Sequence, residues 1–510
     1  MTNQFLTLLA GCAIGLAVSA TALSAQEKPQ YGGTLNVSLP NDAKSLDPTF
    51  QVNFSERQPQ YLIFNTLTGL KPDFSIIPEL AERWEYDAAG PRYVMHLRSG
   101  VKFHDGTDFN AEAAKWNIER RLDPEIKSPS RPILVDMIKS VEAPSPTTLV
   151  INLKGPAPNL LGMLAQREGF MLSPTAAAKS GADFGTKPVG TGPFIFKEWD
   201  PGNRIVLDKN PAYWEQGKPY LDRVVFVQTA NPVVSVPRLL TREIDYIAQL
   251  GPNDVRPIEN RPGIKLDPSP GSRWTSFQLV IDRPPLDNLK LRQAMAHAID
   301  RKRIVDIVMA GKATIADTPT PPGLWWHDPS IKQYEYNPTK AKQLLSEIGW
   351  KSDTEIRLSV QPVALYQQYS QLAQEQMKEV GINVRIEPVS VSEWYPMLLK
   401  AQIYFLPTRW TQRPDPDGMF SYLFDSKSAA NNSRYKNDEV DSLLAKARAE
   451  TDQKERAKLY FAAQKHMTHD LPFISLFFSV EFAAMRDEVK NHVWIPDEIP
   501  RFREVWKTAR

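Results

Sequence analysis

The sequence predicts a mixed fold, part α/β and part α+β, that forms at least two compact units. At 510 residues with 42% apolar side chains, the chain is too long for one ordinary hydrophobic core. The later half carries a strand, helix, strand pattern typical of a parallel sheet. The first half mixes hairpins, short helices and prolines, of which the whole chain has 43.

The first 25 residues predict a secretory signal. Phe5 to Ala25 contains no charge and ends in small residues, which predicts cleavage before Gln26. The stretch before it has no Lys or Arg, so it departs from the usual pattern. Two alternatives remain: lipid attachment at Cys12, which lies in a lipoprotein-like context, and an uncleaved membrane anchor. Because Cys12 is the only cysteine, cleavage after Ala25 predicts a mature protein without disulfides.

The segment 93–111 predicts a hairpin followed by a helix. Apolar residues alternate over 93–98 and again over 101–103, with a turn at Ser99 and Gly100 between them. Asn110 then caps a helix whose apolar side carries Ala114 and Ile118. His104 and Asp105 look like a catalytic pair, but adjacent strand residues point to opposite faces, which favours a structural role.

Further along, 267–272 is rich in proline and small residues and predicts a crossing between units or a hinge. After it, Asn337 and Pro338 start a helix that Gly349 ends. Alternating apolar residues predict strands at 356–360 and 382–386. The helix between them, which Gly381 ends, makes this a parallel β-α-β unit with a right-handed connection.

Charge and motifs narrow the function. Lys and Arg (61) nearly balance Asp and Glu (59), the formal net charge is +2, and no basic tract occurs. This balance does not indicate nucleic acid or an anionic membrane surface as a partner. It favours a small solute as the partner. The Gly190-Thr191-Gly192 turn lacks the lysine of a phosphate loop, and no nucleophile elbow or zinc-protease motif is present. His466 and His469, three residues apart on a predicted helix, favour an exposed helical face over a metal site.

Several segments together resemble one family. They are, in chain order, Tyr31–Leu35, Pro78–Trp84, 93–111, Pro188–Phe194, Asn210–Trp214, Leu291–Arg301 and Leu471–Ile474. In this order the chain resembles the peptide-binding (family 5) substrate-binding proteins of ABC importers. The resemblance implies a two-lobed periplasmic binding protein of type II, with lobe one at 26–268 plus 473–510, an inserted subdomain at about 74–186, and lobe two at 269–472.

The resemblance also implies the function. We expect a receptor that captures a peptide-like, opine-like or anionic solute between its lobes and delivers it to ABC permease subunits. It would act as a monomer, without cofactor and without catalysis. The alternatives are a nickel or metal-chelate receptor on the same scaffold and a secreted hydrolase using Asp415 and Asp417 as paired carboxylates.

The candidate ligand-binding residues centre on 409–418, which follows an apolar strand. Ligands of open α/β sheets lie beyond such carboxyl ends. Trp410 offers a flat apolar wall, with core packing as the alternative, and Arg413 offers a planar fork suited to a carboxylate, with an ion pair to Asp415 or Asp417 as the alternative. The remaining candidates are Asp415, Arg273, Trp274, Trp394 and Asn53.

One departure from the family pattern is informative. In peptide-binding members an aspartate shortly after this tryptophan pairs with the α-amino group of the ligand, but here Gln412 or Arg413 occupies that place. Neither residue can replace a carboxylate. The resemblance therefore implies a solute with an anionic or hydroxyl-rich end in place of a free amino terminus.

Overall fold

The structure is a computed structural model that describes residues 28–50, 53–269, 271–390, 393–400 and 402–509. The predicted signal segment and Cys12 lie outside the described residues.

The strands are β1 Thr34–Leu39, β2 Thr68–Leu70, β3 Ile76–Pro78, β4 Ala81–Asp87, β5 Arg92–Leu97, β6 Ile138–Ser145, β7 Thr148–Leu153, β8 Phe194–Asp200, β9 Arg204–Lys209, β10 Arg223–Gln228, β11 Tyr246–Leu250, β12 Ile264–Pro268, β13 Arg273–Leu279, β14 Ala313–Ile315, β15 Glu355–Val360, β16 Asn383–Pro388, β17 Phe405–Thr411, β18 Phe473–Ser479, β19 Phe482–Arg486, β20 Val489–Lys490 and β21 Trp506–Lys507. The α-helices are α1 Phe54–Ile63, α2 Ala111–Leu122, α3 Arg131–Met137, α4 Asn159–Leu164, α5 Pro174–Ser180, α6 Pro232–Leu240, α7 Leu289–Ala298, α8 Arg301–Val308, α9 Pro338–Glu347, α10 Ala364–Glu379, α11 Trp394–Leu399, α12 Asp417–Phe424, α13 Asp438–Ala449 and α14 Gln453–Asp470.

A seven-stranded sheet forms the centre of the first unit, in the order β12-β19-β11-β1-β10-β9-β8. The strand β1 is parallel to both of its neighbours, and the other pairs are antiparallel. Leu35, Val37 and Phe226 are buried on this sheet, as the period of two along a strand requires.

A four-stranded antiparallel sheet, β4-β5-β7-β6, forms between β3 and α4 and has its own core. Asn110 caps α2, with its side chain accepting a hydrogen bond from the Ala113 N–H at 2.9 Å, so the predicted helix is confirmed. The predicted hairpin is wrong. The strand β5 pairs with β4 and β7, while 101–103 makes a single bridge, between Lys102 and Asp108. The better partner, β7, lies more than fifty residues away.

The second unit contains the sheet β14-β18-β13-β17 and the parallel pair β15-β16, which lies beside β17. The predicted β-α-β unit is confirmed, since β15, α10 and β16 follow in that order with the two strands parallel. The predicted helix after Asn337 is confirmed as α9. Tyr369 of α10 packs against Phe277 of β13 and Phe477 of β18, which joins the helix to the sheet.

The chain crosses between the two units twice. It leaves the large sheet after Pro268 and enters the second sheet at Arg273, within the stretch predicted as a hinge. It returns between Ser479 and Phe482, because β18 pairs with β13, so the return predicted at residue 473 is one strand too early. The backbone N–H of Ser269 donates to the carbonyl of Glu481 at 2.7 Å, which ties the crossings together. We keep the names lobe one and lobe two for the units on either side of these crossings.

A hairpin of lobe one also reaches lobe two. Between β2 and β3, Phe74 adopts a left-handed backbone with φ of 63° and is 1% exposed. Its ring is parallel to that of Trp326, with centroids 6.3 Å apart. It belongs to a core cluster that includes Trp274 and Phe420 of lobe two. The lobes therefore touch at a third place, which we call the Phe74 hairpin.

Candidate functional site

A cavity of about 260 Å³ opens in lobe two beside β17. This strand is the last of its sheet, so the backbone groups on its outer side have no neighbour within that sheet. Residues from the carboxyl ends of both β15 and β17 line the cavity, which is the position at which open α/β sheets bind ligands. Its walls include Gln361, Tyr366, Trp394, Arg409, Trp410 and Tyr422.

Two of the predicted tryptophans meet at this cavity. Trp410 is half-buried and packs edge to face with Tyr422, with ring centroids 6.1 Å apart. Its indole N–H is buried and finds no acceptor among the residues that the structure describes. Trp394, at the start of α11, lines the same cavity. A mostly apolar wall with a few available donors suits a small-molecule pocket.

Arg413 follows β17 and is exposed. Within the described part of the chain it makes no hydrogen bond or ion pair. Its pKa is nevertheless lowered, first by desolvation and next by the charge of Arg167, with smaller effects from Glu168, Tyr422 and Arg57. Three of these four neighbours, Arg167, Glu168 and Arg57, belong to lobe one. The alternatives of ion pairs with Asp415 or Asp417 do not occur.

The structure decides between Gln412 and Arg413. Gln412 is 3% exposed, and its amide donates to the carbonyl of Pro319 at 2.7 Å, so it is part of the protein interior. Of the two, Arg413 is the one whose side chain is exposed.

Asp415, predicted as a ligand residue, is paired within the protein. It is 8% exposed and forms a bidentate ion pair with Arg456, with Nη1 to Oδ2 at 2.8 Å and Nη2 to Oδ1 at 3.0 Å. Asp417 pairs with Arg448 at 3.2 Å instead. The two carboxylates of the hydrolase alternative are thus each held by a separate arginine. The sequence could not show this, because Arg456 lies in α14.

Arg273 is also engaged within the protein. Its guanidinium contacts Glu498 at 2.6 Å and Glu481 at 3.5 Å, beside the two crossings. Burial raises the pKa of Glu498, against the lowering effect of Arg273. Arg409 contacts the same Glu481 at 2.8 Å. Arg273 therefore has carboxylate partners within the protein, and its role as a ligand contact stays a prediction.

Trp274 and Asn53 have structural positions. Trp274 is 0% exposed, and its indole N–H donates to Ser475 Oγ at 3.1 Å, so it is a core residue whose polar atom is satisfied. Asn53 starts α1, and its backbone N–H donates to Glu56 Oε2 at 3.2 Å. Neither residue lines the cavity beside β17.

Comparisons with known proteins decide the family. A model of bacterial extracellular solute-binding proteins, family 5 Middle, matches residues 75–432. The glutathione-binding protein GsiB of Escherichia coli K12 is 30% identical over 472 residues, covering 90% of this chain and 92% of GsiB. The chain belongs to family 5.

Solved structures of the family share the fold. HbpA2 from Haemophilus parasuis superimposes with a TM-score of 0.88 at 26% identity, covering 94% of this chain and 100% of HbpA2. DppA from Helicobacter pylori, an ABC transporter-associated periplasmic binding protein in complex with the peptide STSA, gives 0.76 at 28% identity, covering 94% and 98%. This family 5 protein is therefore a two-lobed solute-binding receptor of an ABC importer.

Sequence reasoning missed several residues near the predicted ones. Arg409, Tyr366 and Tyr422 line the cavity, and Arg57 and Arg167 act on Arg413 from lobe one. Only Arg409 carried a signal, since it adjoins Trp410. Among the described residues no group of three or more His, Cys, Asp or Glu side chains is placed to hold a metal ion, and no helix there has the length and apolar character needed to span a membrane.

Proposed function

We propose that this receptor is secreted through its first 25 residues and acts in the periplasm as a monomer. It captures a small peptide-like or opine-like solute with an anionic group between its lobes. It passes the solute unchanged to the permease subunits of an ABC importer.

The observation that carries the choice of solute is Arg413. Arg413 is exposed and makes no ion pair with the described residues, and a planar guanidinium suits a carboxylate. The aromatic cavity beside β17 offers apolar contact for the rest of the solute. GsiB, a relative that binds glutathione, and DppA, in complex with a peptide, make a peptide-like solute the natural class. The metal-chelate alternative gains no support from the donor groups of the described residues.

Capture between lobes sets an energetic requirement. To shift the two lobes from 1:99 to 99:1 in favour of the closed arrangement, a solute must bind that state better by about 5.5 kcal/mol. Contacts made by only one lobe do not contribute, because they are present in both arrangements. We therefore expect groups of both lobes to contact the solute.

The test is direct. Residues 26–510 are purified from bacterial extract, and native and denaturing mass spectra are compared for a non-covalently bound mass. We expect a compound that carries a carboxylate and that dissociates chemically intact. A solute that is converted during incubation would contradict a binding role. A metal complex retained through purification would favour the alternative.

Trp410 gives the matching variant. Trp410→Ala should weaken binding of the recovered solute by about tenfold or more, since a buried aromatic contact contributes on the order of 1–3 kcal/mol. Trp199→Ala, in the outer strand β8 of lobe one, is the control, with unchanged affinity.

A further inference from the structure

We propose that four charged residues beside the two crossings form an ion lock that fixes the angle between the lobes. They are Arg273 and Arg409 of lobe two, Glu481 of the return crossing and Glu498 of lobe one, and we call them the hinge lock. The inference goes beyond the proposed function, because it concerns the protein alone and holds for any solute.

The two arginines lie on the same face of the lobe-two sheet. Arg273 begins β13, and Thr275, two residues further on, pairs with Arg409 of the antiparallel neighbour β17. Residues two apart on a strand point to the same face, so Arg273 and Arg409 are diagonal neighbours. Their like charges repel each other, and a carboxylate that contacts both offsets this repulsion.

Glu481 receives both arginines. Its Oε1 accepts a hydrogen bond from Nη2 of Arg409 at 2.8 Å and lies 3.5 Å from Nη1 of Arg273. Its backbone N–H donates to Oγ of Ser269 at 3.1 Å, and its carbonyl accepts from the N–H of the same residue at 2.7 Å. Because Ser269 belongs to the first crossing, Glu481 joins the side chains of lobe two to both crossings.

Glu498 brings lobe one into the cluster. It is 2% exposed. Its Oε2 lies 2.6 Å from Nη2 of Arg273, and its Oε1 accepts a hydrogen bond from the hydroxyl of Ser272 at 2.8 Å. The amide of Gln249, in β11 of the large sheet, donates to Oε2 at 3.3 Å. The carboxylate is therefore fixed to the sheet of lobe one and neutralised by an arginine of lobe two.

This arrangement couples charge to the lobe angle. Each ion contact within the hinge lock joins an arginine of lobe two to a carboxylate of the return crossing or of lobe one. A rotation of one lobe relative to the other misaligns these groups and leaves buried charge uncompensated, which is unfavourable. Arg409 also lines the cavity beside β17, so the hinge lock and the candidate solute site share a residue.

The experiment measures the lobe angle without any solute. Because Cys12 is the only cysteine, the chain 26–510 carries spin labels only at engineered cysteines. Val233→Cys in α6 and Ile307→Cys in α8, at exposed residues, place one label on each lobe. Ile133→Cys with Val233→Cys gives a pair within lobe one. Pulsed electron paramagnetic resonance on protein dialysed free of small molecules gives both distance distributions.

Loss of the lock should broaden the distance between the lobes. In the parent chain we expect one narrow interlobe distance. Arg273→Gln and Glu498→Gln should each raise the population at other distances about tenfold or more, the factor expected for a charge-assisted hydrogen bond. The pair within lobe one should keep its distance. The double variant should be more stable to urea than Arg273→Gln, because Glu498 is no longer left unpaired, yet it should keep the broad interlobe distribution.

Glu259→Gln is the matched control. Glu259 of lobe one contacts Lys312 of lobe two at 2.9 Å, which is another ion pair between the lobes. Glu259 is exposed, so solvent and salt screen this pair. We expect the variant to leave the interlobe distribution close to that of the parent. Ser272→Ala, which removes one hydrogen bond to Glu498 and no charge, should broaden the distribution by a smaller factor and keeps the test valid if a charge variant does not fold.

Four results would overturn the hinge lock. They are a broad interlobe distribution in the parent, unchanged distances in Arg273→Gln, Glu498→Gln and Ser272→Ala, equal broadening in Glu259→Gln, and recovery of the narrow distribution in the double variant. None of them bears on solute binding, so the proposed function stands if the lock fails. The absence of any co-purified solute would count against the receptor function and leave the lock in place.

Discussion

Asp415→Asn tests whether the carboxylate beside the cleft is a structural group. Asp415 and Arg456 are 8% and 6% exposed, so solvent screens their ion pair little. The substitution removes the negative charge from two charge-assisted hydrogen bonds of 2.8 Å and 3.0 Å. The remaining contacts of Arg456, to the carbonyl of Ala447 and the hydroxyl of Tyr460, cannot neutralise it.

The expected cost follows from this geometry. Breaking a buried ion pair by removing one partner leaves an uncompensated charge and typically costs about 3–5 kcal/mol. We expect a loss of that size in the urea unfolding of lobe two, followed by circular dichroism and tryptophan fluorescence. The control is Asp306→Asn, which removes an exposed partner of Lys302 four residues away on α8 and should change stability by less than about 0.5 kcal/mol.

The same variant has a second readout. Below the unfolding transition, affinity for an acid dipeptide should stay within about twofold of the parent, because both oxygens of Asp415 are directed at Arg456. A normal unfolding midpoint combined with a tenfold loss of affinity would refute the structural assignment and restore Asp415 as a ligand residue.

The remaining predictions concern pH and packing. Burial lowers the pKa of His104 to about 4, and its Nδ1 accepts from the Gly190 N–H at 3.4 Å while Nε2 donates to the Gly192 carbonyl at 3.0 Å. The folded chain thus holds the neutral ring, and about 3 kcal/mol of stability should be lost as pH falls from about 6.5 to 4. The unfolding free energy of His104→Gln, measured across the same pH range, should lack this loss. A pH profile identical to that of the parent would contradict the role of His104. Phe74→Ala should lower the free energy of unfolding in urea by about 3–5 kcal/mol, because it leaves a void beside Trp326. The control Val233→Ala, at a residue 83% exposed, should change the free energy of unfolding little. Equal effects of the two substitutions would rule out the packed Phe74 hairpin.

Local patterns predicted what neighbouring residues determine. The helices α2 and α9 start at their predicted caps, and α9 and α10 end just before the predicted glycines. The parallel pair β15-β16 follows from its crossover helix. Pairing between strands that are distant in sequence could not be predicted from local patterns. The strand β5 pairs with β7 and not with the adjacent 101–103, because Leu149, Ile151 and Leu153 of β7 belong to the same hydrophobic core.

The candidate site shows the same division. Trp410 and Trp394 were predicted and line one cavity, and Arg413 was singled out by its place after β17. The ion-pair partners of Arg273 and Asp415, which are Glu498 and Arg456, could not be predicted because they are distant in sequence. A charged residue near a cleft can be assigned only when its partners are known, and those partners come from the tertiary fold.

The Phe74 hairpin limits how this protein can be recombined. Lobe two provides the socket around Trp326, but the ring that fills it is encoded in the first hundred residues. A chimera that receives lobe two from a relative would therefore contain a socket without its matching side chain, unless the segment corresponding to residues 68–78 is taken from the same relative. Sequence change on either side of this contact has to be compensated on the other, so the two lobes are not free to diverge independently.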